Sequence, residues 1–191
     1  MGYTGNYFPV YTFRDIELYY TGNSGLPVLI NYTLIMDFTH YTDGKPVMVD
    51  VGGKQVTTRI ARATGCVYMQ KETIEKIQNN LIPKGNPFDV ARVAGILAAK
   101  KTHELIPMCH PLMINHVDIT IACDSSHSCV TIEAIVRCDG KTGVEMEALT
   151  AVSVAALTMY DMCKAVDKQM VIADIRLVEK RGGKSDFIAS K

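Results

Sequence analysis

KTGVEMEALTAVSVAALTMYDMCKAVDK, from Lys141 to Lys168, is the stretch that decides how this chain folds. From Ala148 onward it is rich in Ala, Leu and Met and has no Gly or Pro before Asp167, which suits a buried or half-buried helix of about five turns. Gly143 breaks the pattern ahead of it, so Val144 to Met146 are expected to arrive extended. In that conformation Glu145 and Glu147 share a face, whereas on a helix they would diverge by about 160°. Toward the other end Asp161 and Lys164 stand at i and i+3 with Lys168 one turn on, a polar stripe on an otherwise apolar surface. On an ordinary surface helix such a pair contributes about 0.3 kcal/mol. Here Met159, Tyr160, Met162, Cys163, Ala165 and Val166 leave little room for a wide solvated face. Partial desolvation and shifted pKa values are therefore expected, the usual origin of proton-transfer groups.

Working outward, Thr57 to Tyr68 alternates imperfectly and reads as a strand carrying Arg59 and Arg62. Glu72 to Asn80 reads as a short amphipathic helix, followed by IPKGNP, a Pro/Gly loop that holds Lys84 on constrained backbone. Phe88 to Thr102 is a second helix, with Gly95 marking close packing. Val117 to Cys123 and Val130 to Cys138 form a hairpin around the polar turn DSSHS, and Met170 to Glu179 is a last strand. The order βαββαβ predicts an α+β domain, a ferredoxin-like antiparallel sheet with helices packed on one face. The uncovered face carries enough apolar residues to serve as an oligomer interface.

With 191 residues the chain is one domain, or one domain plus an extension. Met1 to Ile35 hold six of the nine tyrosines and a single basic residue, Arg14, with no period of 2 or 3.6. They fit neither a signal peptide nor a mitochondrial transit peptide, so residues 1–35 are expected to lie outside a folded domain spanning 36–191. Twenty basic and twenty acidic residues cancel, which argues against non-specific nucleic-acid binding. No apolar run has transmembrane length. The six cysteines lack CxxC spacing and read as reduced, buried thiols of a cytoplasmic protein.

Several local patterns carry chemistry, each beside a plainer reading. GKT at Gly140 to Thr142 and GGKS at Gly182 to Ser185 mimic a P-loop, but the first glycine of that motif would fall at Ile135 or Val178. Glycines beside Lys180 and Lys184 can still wrap an anion, or form a solvated terminus. His103, His110 and His116, with Cys109 and Cys123, match no compact zinc spacing. His110, between Pro107 and Pro111, is either a hydrogen-bonding group facing a pocket or a satisfied loop histidine. Cys163 is better read as a small buried residue than as a nucleophile. Lys84 could equally be an exposed turn lysine.

Taken together, MVDVGGK (Met48 to Lys54), KKTHELIPMCHPL (Lys100 to Leu112), KTGVEMEALTAVSVAALTMYDMCKAV and RGGKSD (Arg181 to Asp186) resemble the MoaC family, the cyclic pyranopterin monophosphate synthases of molybdenum-cofactor biosynthesis. The resemblance runs in order from about Met36 to Phe187; Met1 to Ile35 has no counterpart in it. It implies a phosphorus–oxygen lyase that takes the 3′,8-cyclised dihydroguanosine triphosphate made by a radical enzyme from GTP. The product is cyclic pyranopterin monophosphate, with release of pyrophosphate. The resemblance assigns catalysis to Lys84, Asp161 and Lys164. Substrate binding falls to Met108, Cys109, His110, Glu145, Met146 and Glu147, with Arg59 and Lys180, joined by Lys54, as a cationic cradle. It implies a homohexamer built from dimers, with sites at the dimer interface and Lys84 reaching a neighbour's Asp161. No resident cofactor is expected, although Mg2+ could accompany the triphosphate. The competing class is a non-catalytic ferredoxin-like module that binds a small molecule; it has no need of dense ionisable groups on an apolar helix.

Overall fold

The structure, a computed structural model, describes residues 41, 42 and 45 to 190. The expectation for Met1 to Ile35 lies outside the described residues. A two-residue ladder, β1 (Tyr41–Thr42) with β2 (Lys45–Pro46), precedes the main elements. These are β3 (Thr57–Tyr68), α1 (Lys71–Gln78), α2 (Pro87–Lys100), the single turn α3 (Thr102–Leu105), β4 (Ile114–Asp124) and β5 (Cys129–Gly140). α4 (Glu145–Cys163), β6 (Val171–Arg181) and β7 (Phe187–Ile188) follow.

A five-stranded antiparallel sheet has the order β4-β5-β3-β6-β7. β3 lies at its centre because its alternate residues Ala61, Ala63 and Val67 are fully buried. Its ladder with β5 runs without a shift from Thr57↔Gly140 to Tyr68↔Cys129, whereas its ladder with β6 is interrupted twice. Near the second interruption Asp174 adopts φ 56°, and the Tyr68 hydroxyl donates to its carboxylate at 2.6 Å.

α4 packs on β3, β5 and β6, with α2 beside it and over β4. Its sheet-facing side is built from small residues: Ala148, Ala151, Ala155 and Ala156 are all 0 % exposed. They let the helix lie close to the strands. At the crossing with α2, a Cβ on Gly95 would lie 2.5 Å from Ile119 Cδ1 and 2.9 Å from the Ala151 carbonyl oxygen, so glycine alone fits. α2 begins with Asn86, whose Oδ1 accepts from Phe88 N, followed by Pro87 in the first turn. Buried Asp167, just past α4, accepts from Gln70 N and Thr73 Oγ1 and so ties the start of α1 to the end of α4.

The sheet face opposite the helices mixes apolar and charged residues. Period-2 alternation puts Arg62, Glu133 and Arg137 there beside Ile135, and Arg62 Nη1 lies 3.4 Å from Glu133 Oε2. An exposed apolar stripe also lies on α2, where Val90, Val93 and Leu97 stand at helical spacing.

Gly95→Ala tests the close crossing. Helix propensity alone favours alanine by about 1 kcal/mol, but overpacking costs about 1–3 kcal/mol. The variant is expected to be less stable in chemical denaturation; a gain in stability would contradict the packing described.

Candidate active site

The charged residues of α4 gather at its two ends. At the C-terminal end the Asp161 carboxylate holds two lysines. Lys164 Nζ lies 2.7 Å from Oδ1, and Lys84 Nζ lies 2.7 Å from Oδ2 while also donating to the Asp161 carbonyl at 2.8 Å. Lys84 is delivered by the turn between α1 and α2, which the hydrogen bond from Gly85 N to the Ile82 carbonyl closes.

The partial burial expected of Asp161 and Lys164 is not observed in the single chain. The side chains of Lys84, Asp161 and Lys164 are 41 %, 54 % and 52 % exposed. The apolar neighbours that suggested burial, Met159, Met162 and Cys163, turn inward, while Leu157, Asp161 and Lys164 form the outward stripe. The pKa shifts accordingly favour the charged forms. Hydrogen bonds from Lys164 and then Lys84 hold the Asp161 carboxyl down at about 2, and the bond to Asp161 raises the Lys164 ammonium. Within the single chain Lys84 contacts its own Asp161.

At the N-terminal end two cavities adjoin. A cavity of about 350 Å³ is lined by Met108, Cys109, His110, Glu145, Met146 and Glu147, all six expected substrate-binding residues, together with Val49, Val51 and Lys54. A second, of about 510 Å³, is lined by Arg59, Lys180 and Lys54 and by Lys141, Arg181 and Lys184. Lys54, Thr142, Gly143 and Glu145 face both.

The route by which the two glutamates meet corrects the sequence reading. The helix begins at Glu145, so Val144 to Met146 are not an extended run. Glu145 reaches the cavities by folding back over Gly143, where a Cβ would sit 1.8 Å from Glu145 Oε2. It stands 3.3 Å from Lys180 Nζ. Glu147 points inward and is 4 % exposed. Burial, with a smaller contribution from the Glu145 charge, pushes its carboxyl up to about 7, while a backbone hydrogen bond opposes the shift. The first-turn position of both carboxylates is favourable to the helix dipole. His110 Nε2 lies 2.9 Å from the Val49 carbonyl; a carbonyl only accepts, so Nε2 carries a hydrogen and donates it.

This end can therefore hold a ligand with a hydrogen-bonding ring on one side and an anionic tail on the other. Of the cations facing the larger cavity, Lys180 pairs with Glu145 and Arg181 with Glu179, and Arg59 donates to the Gly140 and Lys141 carbonyls. Sixteen residues separate Glu145 from Asp161, about 24 Å along the helix. The structure thus unites the expected binding residues with one another and the expected catalytic residues with one another, but not the two groups within one chain. Sequence reasoning missed Lys141 and Arg181 as cavity residues; their proximity to Gly140 and Gly182 was the available signal. Among the described residues no group of three or more His, Cys, Asp or Glu is placed to hold a metal ion.

The MoaC family model matches residues 48–183. A cyclic pyranopterin monophosphate synthase of Pelotomaculum thermopropionicum is 58 % identical over 154 residues, covering 80 % of this chain and 91 % of that protein. One from Desulforapulum autotrophicum is 54 % identical over 157 residues, covering 81 % and 96 %. One from Chloroflexus aurantiacus is 59 % identical over 142 residues, covering 74 % and 87 %.

The raised Glu147 pKa has a sign that can be measured. The folded state keeps a proton that the unfolded carboxyl, with its pKa near the ordinary value of about 4.3, has already lost. Stability is therefore lost as pH rises toward about 7. Glu147→Gln, with no charge to bury, should melt above wild type at pH 8, and the advantage should shrink below pH 5. An advantage equal at both pH values would rule out burial as the cause.

Proposed function

The chain belongs to the MoaC family, and we propose that it converts 3′,8-cyclo-7,8-dihydroguanosine 5′-triphosphate to cyclic pyranopterin monophosphate and pyrophosphate in molybdenum-cofactor biosynthesis. The observation that carries this reading is the pair of adjoining cavities. One holds carboxylates and an imidazole suited to a guanine-like edge, and the other is cationic and suited to a triphosphate. As such the protein is a phosphorus–oxygen lyase working in the cytoplasm, downstream of the radical enzyme that cyclises GTP. The strand order, with β3 between β5 and β6, supports a ferredoxin-like core.

Glu145 and Glu147 accept from the base, Met108, Cys109, His110 and Met146 shape its pocket, and Arg59, Lys180 and Lys54 hold phosphate oxygens. Lys84 and Lys164 move protons during ring opening and pterin closure, with Asp161 fixing both. In the substrate-free state Asp161 stabilises the Lys164 ammonium, so the first act of Lys164 is to give a proton rather than take one. The reaction needs no electron carrier and so no resident cofactor, with Mg2+ entering on the triphosphate.

About 24 Å along α4 separates the lysines from the cavities of the same chain. Each working site is therefore composed from two chains of a homohexamer, one giving Lys84, Asp161 and Lys164, the other the cavities. The exposed Val90, Val93 and Leu97 stripe supports association.

The direct test supplies the cyclised triphosphate and reads pyrophosphate release together with pterin fluorescence after oxidation; absence of both would end this reading. Lys84→Ala and Lys164→Ala should each lower kcat by about 10²- to 10⁴-fold with little change in KM, and wild-type rates in either would remove that lysine from catalysis. Co-assembling Lys164→Ala with Glu145→Gln subunits should recover about a quarter of wild-type activity for random pairing in two-chain sites. No recovery would place each site within a single chain.

A further inference from the structure

Val49 to Lys54 forms one wall of the smaller cavity and brings Lys54 to the junction of both, yet it has neither helix nor strand of its own. Its shape is set locally. Asp50 Oδ1 accepts from Gly52 N at 2.7 Å, and Lys54 N donates to the Val51 carbonyl at 3.1 Å. Its attachment to the rest of the protein is sparser. Among the described residues, two side chains outside the segment hydrogen-bond to it: His110 to the Val49 carbonyl at 2.9 Å, and Lys141 Nζ to the Gly52 carbonyl at 2.6 Å.

Lys141 is itself well placed to bear this load. It lies between β5 and α4, and its own carbonyl accepts from Arg59 Nη2 at 3.4 Å, while Arg59 Nε donates to the Gly140 carbonyl at 3.3 Å. A chain of contacts thus runs from the central strand through Arg59 and Lys141 to Gly52. Downstream of Gly52, the next tertiary hydrogen bond along the backbone is at Thr57, whose Oγ1 donates to the Gly182 carbonyl at 2.7 Å. Without Lys141 the span from Val49 to Thr57 has, among the described residues, no side-chain hydrogen bond to the rest of the protein between its ends, and Lys54 lies within it. Lys141 also faces the larger cavity, among cations. Its ammonium is nevertheless engaged by a neutral backbone oxygen, and among the described residues no carboxylate pairs with it.

We propose that Lys141 is a positioning residue: by holding the Gly52 carbonyl it fixes the Val49 to Lys54 strap and so sets Lys54 where the two cavities meet, acting through Lys54 rather than as another phosphate ligand. The consequence for substrate rests on the reading of the larger cavity as a phosphate site; the clip itself does not.

Hydrogen exchange on the substrate-free protein tests the clip. In Lys141→Met the Gly52 and Lys54 amides should exchange about tenfold faster, as expected for loss of a charge-assisted hydrogen bond, while α4 amides stay unchanged and report an intact fold. Unchanged exchange at Gly52 and Lys54 would overturn the proposal. Binding of inorganic tripolyphosphate to wild type, Lys54→Ala, Lys141→Met and the double variant tests the consequence. If Lys141 works through Lys54, the double variant should bind as weakly as Lys54→Ala alone. Losses that multiply would make Lys141 a direct phosphate ligand and overturn the positioning role. Wild-type protein that fails to bind tripolyphosphate would overturn the phosphate reading of the cavity, while the exchange result would still decide the clip.

Discussion

Burial of α4 along its length is the constraint from which the rest of the structure follows. The helix presents alanines to the sheet and yields to α2 only through Gly95, so its middle has no room for charge. Polar groups can occupy its two ends and one outward stripe. The chemistry of the chain is divided accordingly, with carboxylates at the first turn and an acid flanked by two lysines at the last. A rigid rod about 24 Å long between them keeps both groups fixed and keeps them apart.

The two ends treat charge in opposite ways. At the C-terminal end water and mutual contact stabilise the ionised forms, and hydrogen bonds from Lys164 and Lys84 hold the Asp161 carboxyl down at about 2. At the N-terminal end Glu147 is drawn inward, and burial keeps a proton on it to about pH 7. Its neighbour Glu145 stays at the cavity mouth beside Lys180. The Glu147 carboxyl can then donate as well as accept, which suits a heterocyclic edge that presents both N–H and carbonyl groups.

Loops complete what the helix begins. The smaller cavity owes one wall to a strap without secondary structure, and the larger draws on three segments: Lys54 and Gln55 at the end of that strap, Lys141 to Gly143 directly after Gly140, and Lys180 to Lys184. Arg59, reaching from β3, bonds the carbonyls of the second of these segments, and Lys141 carries the connection on to the first. The cationic character of the cavity and its mechanical integrity therefore come from overlapping residues.

Sequence alone determined the central strand, the hairpin, both long helices and the last strand, because alternation and helical spacing are local properties of the chain. The resemblance carried by its motifs also named every residue of the smaller cavity that carries a polar side chain except Thr142, with Lys54 placed in the cationic cradle. The start of α4 was displaced, because it depends on whether Glu145 can fold over a residue lacking Cβ, a contact invisible to periodicity. The burial of Asp161 and Lys164 was misjudged for a related reason: flanking apolar residues fix which side of a helix is inward only once the neighbouring elements are in place. Tertiary structure alone decided that Lys84 meets Asp161 of its own chain, that Lys141 reaches Gly52, and that two cavities share Glu145 and Lys54, since each joins segments distant in sequence whose approach is set by packing.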